Sequence, residues 1–487
     1  MTETVDKIKY AEPPRIFSEK PSIGKYIKYL KFFGPGAIVA SLTLGQGQLI
    51  LGPQLGALAG YSLLWLITIN IGSYLIAYIS CRFMMISGIE IIDLFALKTK
   101  KGWFNWLLIA IMLIFIPIFA ASIITTLGQS LQWTFGFGHY LVWGISFSIV
   151  AALLVIIGRY RLLEYTQALF VAVLAVGAVI SVLYLQPNFA DILPNFFTIG
   201  QNVPEAYPSW IEQVADFNPT PIPLLMLGYL GTLAFTLITL VGYLGWIKEK
   251  KWGIFKDTED SYHFANTLFQ SFKTHGGITY LPESEGEVKK IRSLLKPLKI
   301  DLVLAFIIVS IVSAAYMIAG THLLGLQEDG TALLPSDLNL IKEQGRIFSN
   351  IASGLKPLFQ ISVFFALFGT IYAGLEAATR MLYETLKSLN EKVNDLEYRR
   401  FMLYVIMFIL TTGIPLSILM YKGLSVLLML SITLMFIGVF GVIIYGVSAL
   451  YLSQKVLPKK FRLNLPSLLI VIIGIILFFI PIIYLLI

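Results

Sequence analysis

Long apolar runs recur along the entire chain and constrain its fold more than any other feature. Only 13% of the 487 residues are charged, which is about half the fraction typical of a soluble domain. Because backbone groups in a bilayer core must hydrogen-bond within their own segment, we predict an all-α polytopic membrane protein with 11 transmembrane helices. The spans lie near residues 33–57, 61–87, 104–129, 140–158, 164–186, 221–247, 300–322, 354–386, 401–421, 424–453 and 466–487.

The basic residues predict the orientation of the chain. Segment 186–222 contains four acidic residues and no Lys or Arg, whereas segment 248–299 contains ten Lys or Arg. Since Lys and Arg accumulate in cytoplasmic loops, we expect a cytoplasmic N-terminus and an extracellular C-terminus in the plasma (cell) membrane. The net charge of +8 is then a topology signal and no indication of nucleic-acid binding. A single cysteine, Cys81, excludes an internal disulfide and a cysteine metal cluster.

The first span is interrupted by glycines and glutamines, which are unfavourable in a helix within the bilayer core. The sequence GPGAIVASLTLGQGQLILGPQ, Gly34–Gln54, places Gly45, Gln46, Gly47 and Gln48 about ten residues into an apolar helix. Glycine weakens a helix, and an amide in lipid lacks a hydrogen-bond partner. A packing kink explains the glycines but not the adjacent amides. A broken helix that binds cargo explains both, and Thr43 and Gln54 are further polar candidates in this span.

The sixth span is the matching candidate in the second half of the chain. Its sequence LGYLGTLAFTLITLVGYLGW, Leu227–Trp246, contains four glycines with three threonines between them. Interrupted spans five apart indicate an inverted 5+5 repeat. The predicted organisation is a cytoplasmic segment 1–30, a first repeat 31–187 (spans 1–5), an extracellular loop 188–220, a second repeat 221–454 (spans 6–10) that includes the basic cytoplasmic loop 248–299, and span 11 at 455–487.

These motifs resemble the natural resistance-associated macrophage protein (Nramp) family of metal transporters, which has a LeuT-type fold. The family reads G-P-G, eight residues, D-P-G-N, and then G-Y-S-L-L-W. This chain reads GPG at Gly34–Gly36, GQGQ at Gly45–Gln48 after eight residues, and GYSLLW at Gly60–Trp65. RLLE at Arg161–Glu164 approximates a further family motif. The resemblance implies a LeuT-type fold with spans 1 and 6 broken, and it aligns Ala234, Phe235 and Thr236 with the family's second site.

The departure from the family motif bears on the cargo. In the family, the Asp and Asn of the first span and a Met of the sixth ligate a divalent transition metal. Here Gly45 occupies the position of the Asp and Gln48 that of the Asn. Span 6 has no Met after Met226 and no His. We therefore expect no metal-ligand site and no transport of Mn²⁺ or Fe²⁺. The predicted substrate-binding residues are Thr43, Gly45, Gln46, Gly47, Gln48, Gln54, Ala234, Phe235 and Thr236.

The neutral character of this set suggests what it binds instead. Amide and hydroxyl groups with half-helix N-termini suit a small inorganic anion such as bicarbonate. A hydrated divalent cation of the Mg²⁺ type is an alternative, because Mg²⁺ retains several waters. A membrane sensor that lost transport is another, although no soluble output domain is visible. No enzyme motif and no cofactor site is recognised, so the expected partners are a small inorganic ion and the lipid bilayer.

A few charged or polar residues within the spans are candidates for other roles. Glu376 and Arg380 lie four residues apart on span 8 and share a helix face. Glu376 is either a coupling group for H⁺ or Na⁺ or part of an ion pair at the helix end. Glu164, beside Arg159 and Arg161, is a candidate for an intracellular gate. A lone glutamine such as Gln167 is typical of an interhelical hydrogen bond.

Overall fold

Most of the described chain is helical in the computed structural model, which describes residues 7–158, 160–214, 220–327, 330–334 and 356–486. The helices are α1 (Ile23–Tyr29), α2 (Pro35–Leu44), α3 (Gln46–Ala59), α4 (Trp65–Ile69), α5 (Ile71–Ser87), α6 (Ile91–Lys98), α7 (Trp103–Phe135), α8 (Tyr140–Ile157), α9 (Tyr160–Leu185), α10 (Phe189–Ile192), α11 (Ile222–Leu233), α12 (Leu237–Glu249), α13 (Ser261–His275), α14 (Glu285–Leu294), α15 (Lys296–Leu323), α16 (Lys356–Lys387), α17 (Glu391–Asn394), α18 (Tyr398–Tyr421), α19 (Val426–Leu434), α20 (Gly441–Val456) and α21 (Leu465–Leu486). A π-helical turn, Met435–Phe440, joins α19 to α20. Two short strands, β1 (Gly325–Leu326) and β2 (Ala332–Leu333), pair antiparallel.

The described helices provide the eleven predicted crossings. Ten helical segments are long and apolar enough to cross a membrane. The first span is not among them because it is divided into α2 and α3, which have 10 and 14 residues. Together these two helices extend about 36 Å, enough for the hydrocarbon core of about 30 Å. Spans 1 to 11 are thus α2–α3, α4–α5, α7, α8, α9, α11–α12, α15, α16, α18, α19–α20 and α21.

The spans pack in two groups that meet at the interrupted helices. Span 3 packs against spans 4, 8 and 9, while span 7 packs against both halves of span 1. Close approach of span 7 to α3 depends on small residues, because a Cβ on Gly56 or Gly320 would overlap backbone atoms of the other helix. Span 6 lies between the groups, with α11 against α19 and α12 against α16. Both halves of span 6 are therefore buried, and its central break lies deep inside the protein.

Segments predicted to be cytoplasmic come together at one end of the molecule, which we call the basic side. The backbone N–H of Ile8 donates to the carbonyl of Tyr280 at 2.9 Å. Lys460 Nζ donates to the carbonyl of Glu283 at 2.8 Å. Arg82, near the end of span 2, donates to the Phe461 carbonyl, so it anchors this end of the helix. The N-terminal segment, the 248–299 loop and the 455–462 segment thus share one side.

Candidate functional site

The first span breaks at Gly45, as the sequence predicts. Gly45 has φ −68° and ψ −122°, which is outside the helical region, and it separates α2 from α3. The side-chain hydroxyl of Thr370 in span 8 occupies the space that a Cβ on Gly45 would fill, and the carbonyl oxygen of Ala366 is 3.0 Å from that position. Packing therefore requires a glycine at this position.

The sixth span breaks at Ala234–Thr236, between α11 and α12. Ala234 and Thr236 are both extended, with ψ values of 157° and 166°. The Thr236 hydroxyl accepts a hydrogen bond from the backbone N–H of Thr239 at 3.3 Å, so Thr236 is the N-cap of α12. The break thus falls at the three residues that the family alignment indicates.

The glycines of span 6 have a different role from the one predicted. They lie outside the break and allow close packing against neighbouring spans instead. A Cβ on Gly231 would overlap the backbone of Leu434, and a Cβ on Gly245 would lie 2.7 Å from the side chain of Arg380. The break itself contains no glycine and depends on partners from another span.

Those partners are Asn70 and Ser73 in span 2, which the sequence reasoning missed. Asn70 Nδ2 donates to the Leu233 carbonyl at 2.8 Å, and the backbone N–H of Phe235 donates to Ser73 Oγ at 3.2 Å. Ser73 Oγ donates in turn to Asn70 Oδ1 at 2.7 Å. Freed backbone groups on both sides of the break are thereby satisfied, which is the condition for broken helix at membrane depth.

A side-chain hydrogen bond joins the two broken spans. Gln48 Nε2 donates to Thr232 Oγ1 at 2.6 Å, and Thr232 Oγ1 donates to the Tyr229 carbonyl at 2.8 Å. Because the Thr232 proton is already engaged, its oxygen accepts, and this fixes the orientation of the Gln48 amide. Gln48 Oε1 is buried and has no hydrogen-bond partner among the described residues. It is a free acceptor beside the breaks.

A small cavity lies between the breaks. Its volume is about 20 Å³, roughly the space for one water molecule. The lining residues are Leu42, Thr43, Gly47, Phe119, Gly231, Thr232, Ala234, Thr236, Thr239 and Leu434, all of which are neutral. The Thr43 hydroxyl donates to the Val39 carbonyl at 2.7 Å, so its lone pairs are the groups available to a ligand. A ligand in the cavity would therefore find hydrogen-bond acceptors on side chains. Its hydrogen-bond donors would be the backbone N–H groups at the N-termini of α3 and α12.

The remaining predicted binding residues are only partly brought to this cavity. Phe235 lies in the break, but its ring packs edge-on against Tyr74 with centroids 4.8 Å apart. Gln54 is buried further along α3, and its Oε1 has no partner among the described residues. Gln46 is the first residue of α3, and its side chain lies outside the described part. Thr43, Gly47, Ala234 and Thr236 line the cavity directly.

The three coupling candidates lie toward the basic side and do not touch the breaks. Glu376 is six residues beyond Thr370 on span 8, which is about 9 Å along the helix axis. Its carboxylate pairs with Arg380, accepts from Trp246 Nε1 at 2.7 Å and accepts from the Tyr398 hydroxyl at 3.3 Å. Glu164 pairs with Lys250 at 2.7 Å. Its partner is therefore at the end of α12, and Arg159 lies outside the described residues.

Further buried charges on the basic side were not identified from the sequence. Lys248 pairs with both Glu90 and Glu384, and Lys387 pairs with the same two glutamates. The Lys248 side chain is 0% exposed, so this residue is no solvated loop cation. Burial, together with the nearby Glu384 carboxylate, raises the pKa of Glu90, which lies beyond the end of span 2.

Asp301, in the first turns of span 7, is a second unexpected charge. It accepts hydrogen bonds from the N–H groups of Gly34 and Gly36, at 2.9 and 2.7 Å, at the start of α2. The Tyr243 hydroxyl of α12 donates to the same carboxylate. A carboxylate at a helix N-terminus is favourable, and here it holds three spans together on the basic side.

Two buried polar side chains between spans 1, 5 and 8 have no hydrogen-bond partner among the described residues. Both amide atoms of Gln167 and the hydroxyl of Ser41 are buried without hydrogen bonds to described residues. Both side chains approach Gly369, since Gln167 Oε1 and Ser41 Oγ are each 2.9 Å from its ideal Cβ position. The interhelical hydrogen bond expected of Gln167 is therefore not formed within the described part of the chain.

The described residues contain no group of three or more His, Cys, Asp or Glu side chains placed to hold a metal ion. Transition-metal sites in proteins are built from such donors. The cavity at the breaks instead offers hydroxyl, amide and backbone groups.

Comparison with known proteins gives the following matches. A model of the natural resistance-associated macrophage protein-like family matches residues 36–487. The divalent metal cation transporter MntH of Latilactobacillus sakei is 27% identical over 173 residues, which cover 34% of this chain and 37% of the relative. The chain therefore aligns with little more than a third of that curated relative.

Two crystal structures of the manganese transporter of Eremococcus coleocola resemble this chain. A mutant form has a TM-score of 0.63 at 15% identity and covers 99% of this chain and 90% of its own. A complex with an aromatic bis-isothiourea compound has a TM-score of 0.61 at 14% identity. The match covers 99% of this chain and 89% of the transporter chain. At this identity the likeness shows the fold alone, and it confirms the predicted LeuT-type, all-α architecture.

Proposed function

Because the chain belongs to the natural resistance-associated macrophage protein-like family, we propose that it is a secondary transporter that moves a small inorganic ion across the membrane. The observation that carries this proposal is the pairing of two broken spans, joined by the Gln48–Thr232 hydrogen bond beside one buried cavity. Cargo binds between the breaks, and alternating access follows from movement between the bundle that contains the broken spans and the spans around it. The basic side faces the cytoplasm of a cell whose plasma membrane holds the protein.

The charge of the site favours an inorganic anion such as bicarbonate. Removing water from a divalent cation in a buried pocket requires compensating negative charge, and the lining residues have none. Two half-helix N-termini, those of α3 and α12, begin at the breaks and supply N–H donors with a positive dipole end. Gln48 supports the site through Thr232, which lines the cavity and accepts a hydrogen bond from Gln48 Nε2.

A hydrated divalent cation is the second candidate. The relatives that match this chain are named as divalent metal cation and manganese transporters. The free oxygens of Gln48 and Gln54 accept hydrogen bonds from the waters of an ion such as Mg²⁺, which retains part of its hydration shell. Direct ligation of Mn²⁺ or Fe²⁺ is disfavoured, because these sites use carboxylate, imidazole or sulfur donors.

Glu376 is the proposed coupling residue, with H⁺ as the coupling ion. It is the one buried carboxylate of span 8 that lies between the breaks and the cluster of Lys248 and Lys387. It has three polar contacts, to Arg380, Trp246 and Tyr398, and the last two link span 8 to spans 6 and 9. Gain or loss of a proton at Glu376 would therefore change the contacts that hold α12.

Flux into proteoliposomes tests the proposal. Bicarbonate, Mg²⁺ and Mn²⁺ are presented separately to the same preparation, with protein-free vesicles as the blank. We expect bicarbonate uptake that falls at least about fivefold in Gln48→Ala, since a lost hydrogen bond in a buried site costs about 1–3 kcal/mol. Gln132→Ala, which changes an exposed glutamine near the end of span 3, is the matched control. Mn²⁺ flux with no bicarbonate flux would reject the anion proposal, and no flux of any ion would favour a sensor.

A further inference from the structure

Two connected cavities lie on the basic side, away from the breaks. The larger has a volume of about 820 Å³ and lies between spans 4, 5, 6, 8 and 9. The smaller, of about 480 Å³, is lined by Leu154, Ile157, Gly158, Arg161 and Leu162. Ile157, Gly158 and Arg161 belong to both linings. The two volumes are therefore lobes of one cavity, and this size accommodates a molecule much larger than an inorganic ion.

The larger lobe carries an excess of positive charge. Three arginines, Arg161, Arg380 and Arg399, and two glutamates, Glu249 and Glu376, line it. Arg380 is paired with both glutamates. Arg161 and Arg399 are exposed and form no ion pair with another described residue. The two unpaired arginines contribute +2 and the Arg380 cluster −1, so the described lining has a net charge of +1 and two arginines available to an anion.

These two arginines also lie at helix N-termini. Arg161 is the second residue of α9, which has 26 residues, and Arg399 is the second residue of α18, which has 24. Neither helix has an acidic residue in its first turn, and Glu397, the N-cap of α18, makes no side-chain capping hydrogen bond and lies 3.9 Å from Arg400. Cations are disfavoured at the positive end of a helix dipole, whereas an anion there is stabilised by the dipole and by free N–H groups. An anion bound between the N-termini of α9 and α18 would therefore be stabilised by both arginines and by both helix dipoles.

The smaller lobe is apolar and faces outward. Apart from Gly158 and Arg161 its lining is Leu154, Ile157 and Leu162. The Ile157 side chain is 71% exposed and that of Leu162 is 47% exposed, as expected for residues that contact lipid. The Tyr372 hydroxyl lies at the junction of the lobes, 3.2 Å from the ideal Cβ position of Gly158. The cavity therefore joins a cationic compartment to an apolar one that opens toward the bilayer.

We propose that this cavity binds an anionic phospholipid, with its phosphodiester between Arg161 and Arg399 and an acyl chain along Leu154, Ile157 and Leu162. Basic pockets between membrane helices on the cytoplasmic side recognise anionic headgroups in this way. A monoanionic headgroup matches the net charge of +1, and the apolar lobe distinguishes a lipid from free phosphate. The proposal does not depend on which ion is carried at the breaks.

Native mass spectrometry of the purified full-length protein tests it. The protein is titrated with phosphatidylglycerol, with phosphatidylcholine of the same acyl chains, and with inorganic phosphate. We expect phosphatidylglycerol to bind in preference to phosphatidylcholine, and phosphate at millimolar concentration to leave it bound. In the double variant Arg161→Gln/Arg399→Gln, phosphatidylglycerol affinity should fall at least about tenfold, because two charge-assisted hydrogen-bonding groups are removed.

Two further variants separate the site from general surface charge and from misfolding. Arg400→Gln removes the adjacent arginine, which pairs with Glu397 at 3.9 Å and does not line the cavity, and should change the affinity less than twofold. Arg161→Lys/Arg399→Lys keeps both charges and should lose less affinity than the Gln pair. Equal binding of phosphatidylcholine, an equal loss in Arg400→Gln, or displacement of the lipid by phosphate would each overturn the proposal.

Discussion

The side-chain hydroxyl of Thr370 occupies the space that a Cβ atom on Gly45 would need. The two residues belong to spans 8 and 1, and they come together where span 1 breaks. The resemblance to the family implies Asp at the position of Gly45, and the contact with Thr370 leaves no space for such a side chain. A carboxylate cannot be restored at this position without altering span 8.

Gly45→Asp should therefore fold poorly and show no flux, because the new Cβ overlaps Thr370. Gly45→Asp/Thr370→Gly removes the overlapping atoms and should recover folding, with a cost of about 1 kcal/mol for the added helical glycine. Size-exclusion profiles and thermal unfolding in detergent measure the recovery. If the double variant is no more stable than Gly45→Asp, the overlap is not the cause of the defect.

Gln48→Glu tests the charge argument at the breaks. The carboxylate replaces the amide that donates to Thr232, and it adds a negative charge beside a neutral cavity. Anion flux should fall by about tenfold or more, while affinity for Mg²⁺ rises, since an unpaired buried charge favours a counter-ion. Isotope uptake and calorimetry provide the readouts, with Gln132→Glu as control. An unchanged anion rate would place the cargo elsewhere.

Asn70→Ala should destabilise the protein by about 1–3 kcal/mol, because the Leu233 carbonyl at the span-6 break then lacks its partner. Ser73→Ala should act in the same direction through the N–H of Phe235. The measurement is thermal unfolding in one detergent. Ser62→Ala is the comparison, because the Ser62 hydroxyl bonds only to the carbonyl of Ala59 outside both breaks. Equal effects at positions 62 and 70 would contradict this role.

Lys248→Met should destabilise the basic side by about 3–5 kcal/mol, because two buried glutamates then share the single cation Lys387. Lys251→Met, which removes an exposed lysine that donates to loop carbonyls, is the control. Stability and the accessibility of an engineered cysteine on α12 report the change. A Lys248→Met protein as stable as the control would show that the glutamates are neutralised in another way.

Glu376→Gln should flatten the dependence of transport rate on pH if Glu376 carries the coupling proton. Its hydrogen bonds to Trp246 and Tyr398 remain possible with an amide, so the fold should be retained. Arg380 keeps Glu249 as a partner in this variant. Flux measured across a pH series, normalised to the maximum rate, is the readout. A pH profile identical to that of the unmodified protein would leave Glu376 a structural residue.

Local sequence was sufficient to place the first break but not the second. The first break is recognisable because two glycines, Gly45 and Gly47, and two glutamine amides lie within an apolar run, where they are unfavourable in a lipid-exposed helix. At Ala234–Thr236 no residue is unusual for a membrane helix, and only the family alignment pointed there. The groups that permit this break, Asn70 and Ser73, are more than 160 positions away in the sequence. Nothing in their own surroundings distinguishes them from ordinary polar residues of a helix.

The burial and the partners of charged residues near the span ends could not be predicted from the sequence. Lys248 reads as one cation of a basic loop, and Asp301 reads as a residue at the start of a helix. Both are fully buried, because the loop folds back over the ends of the spans. A sequence gives the sign of such a charge but not the elements that cover it, so its partners become apparent only from the tertiary packing.

The arrangement around α12 has a consequence for how fast the protein can turn over. Tyr243, Trp246, Lys248 and Lys250 connect this helix to four different neighbours, through Asp301, Glu376, Glu90 and Glu164 respectively. Release of α12 therefore requires several strong contacts to break together, which is an event with a large activation enthalpy. Transport should consequently slow steeply on cooling, more steeply than lipid viscosity alone would cause.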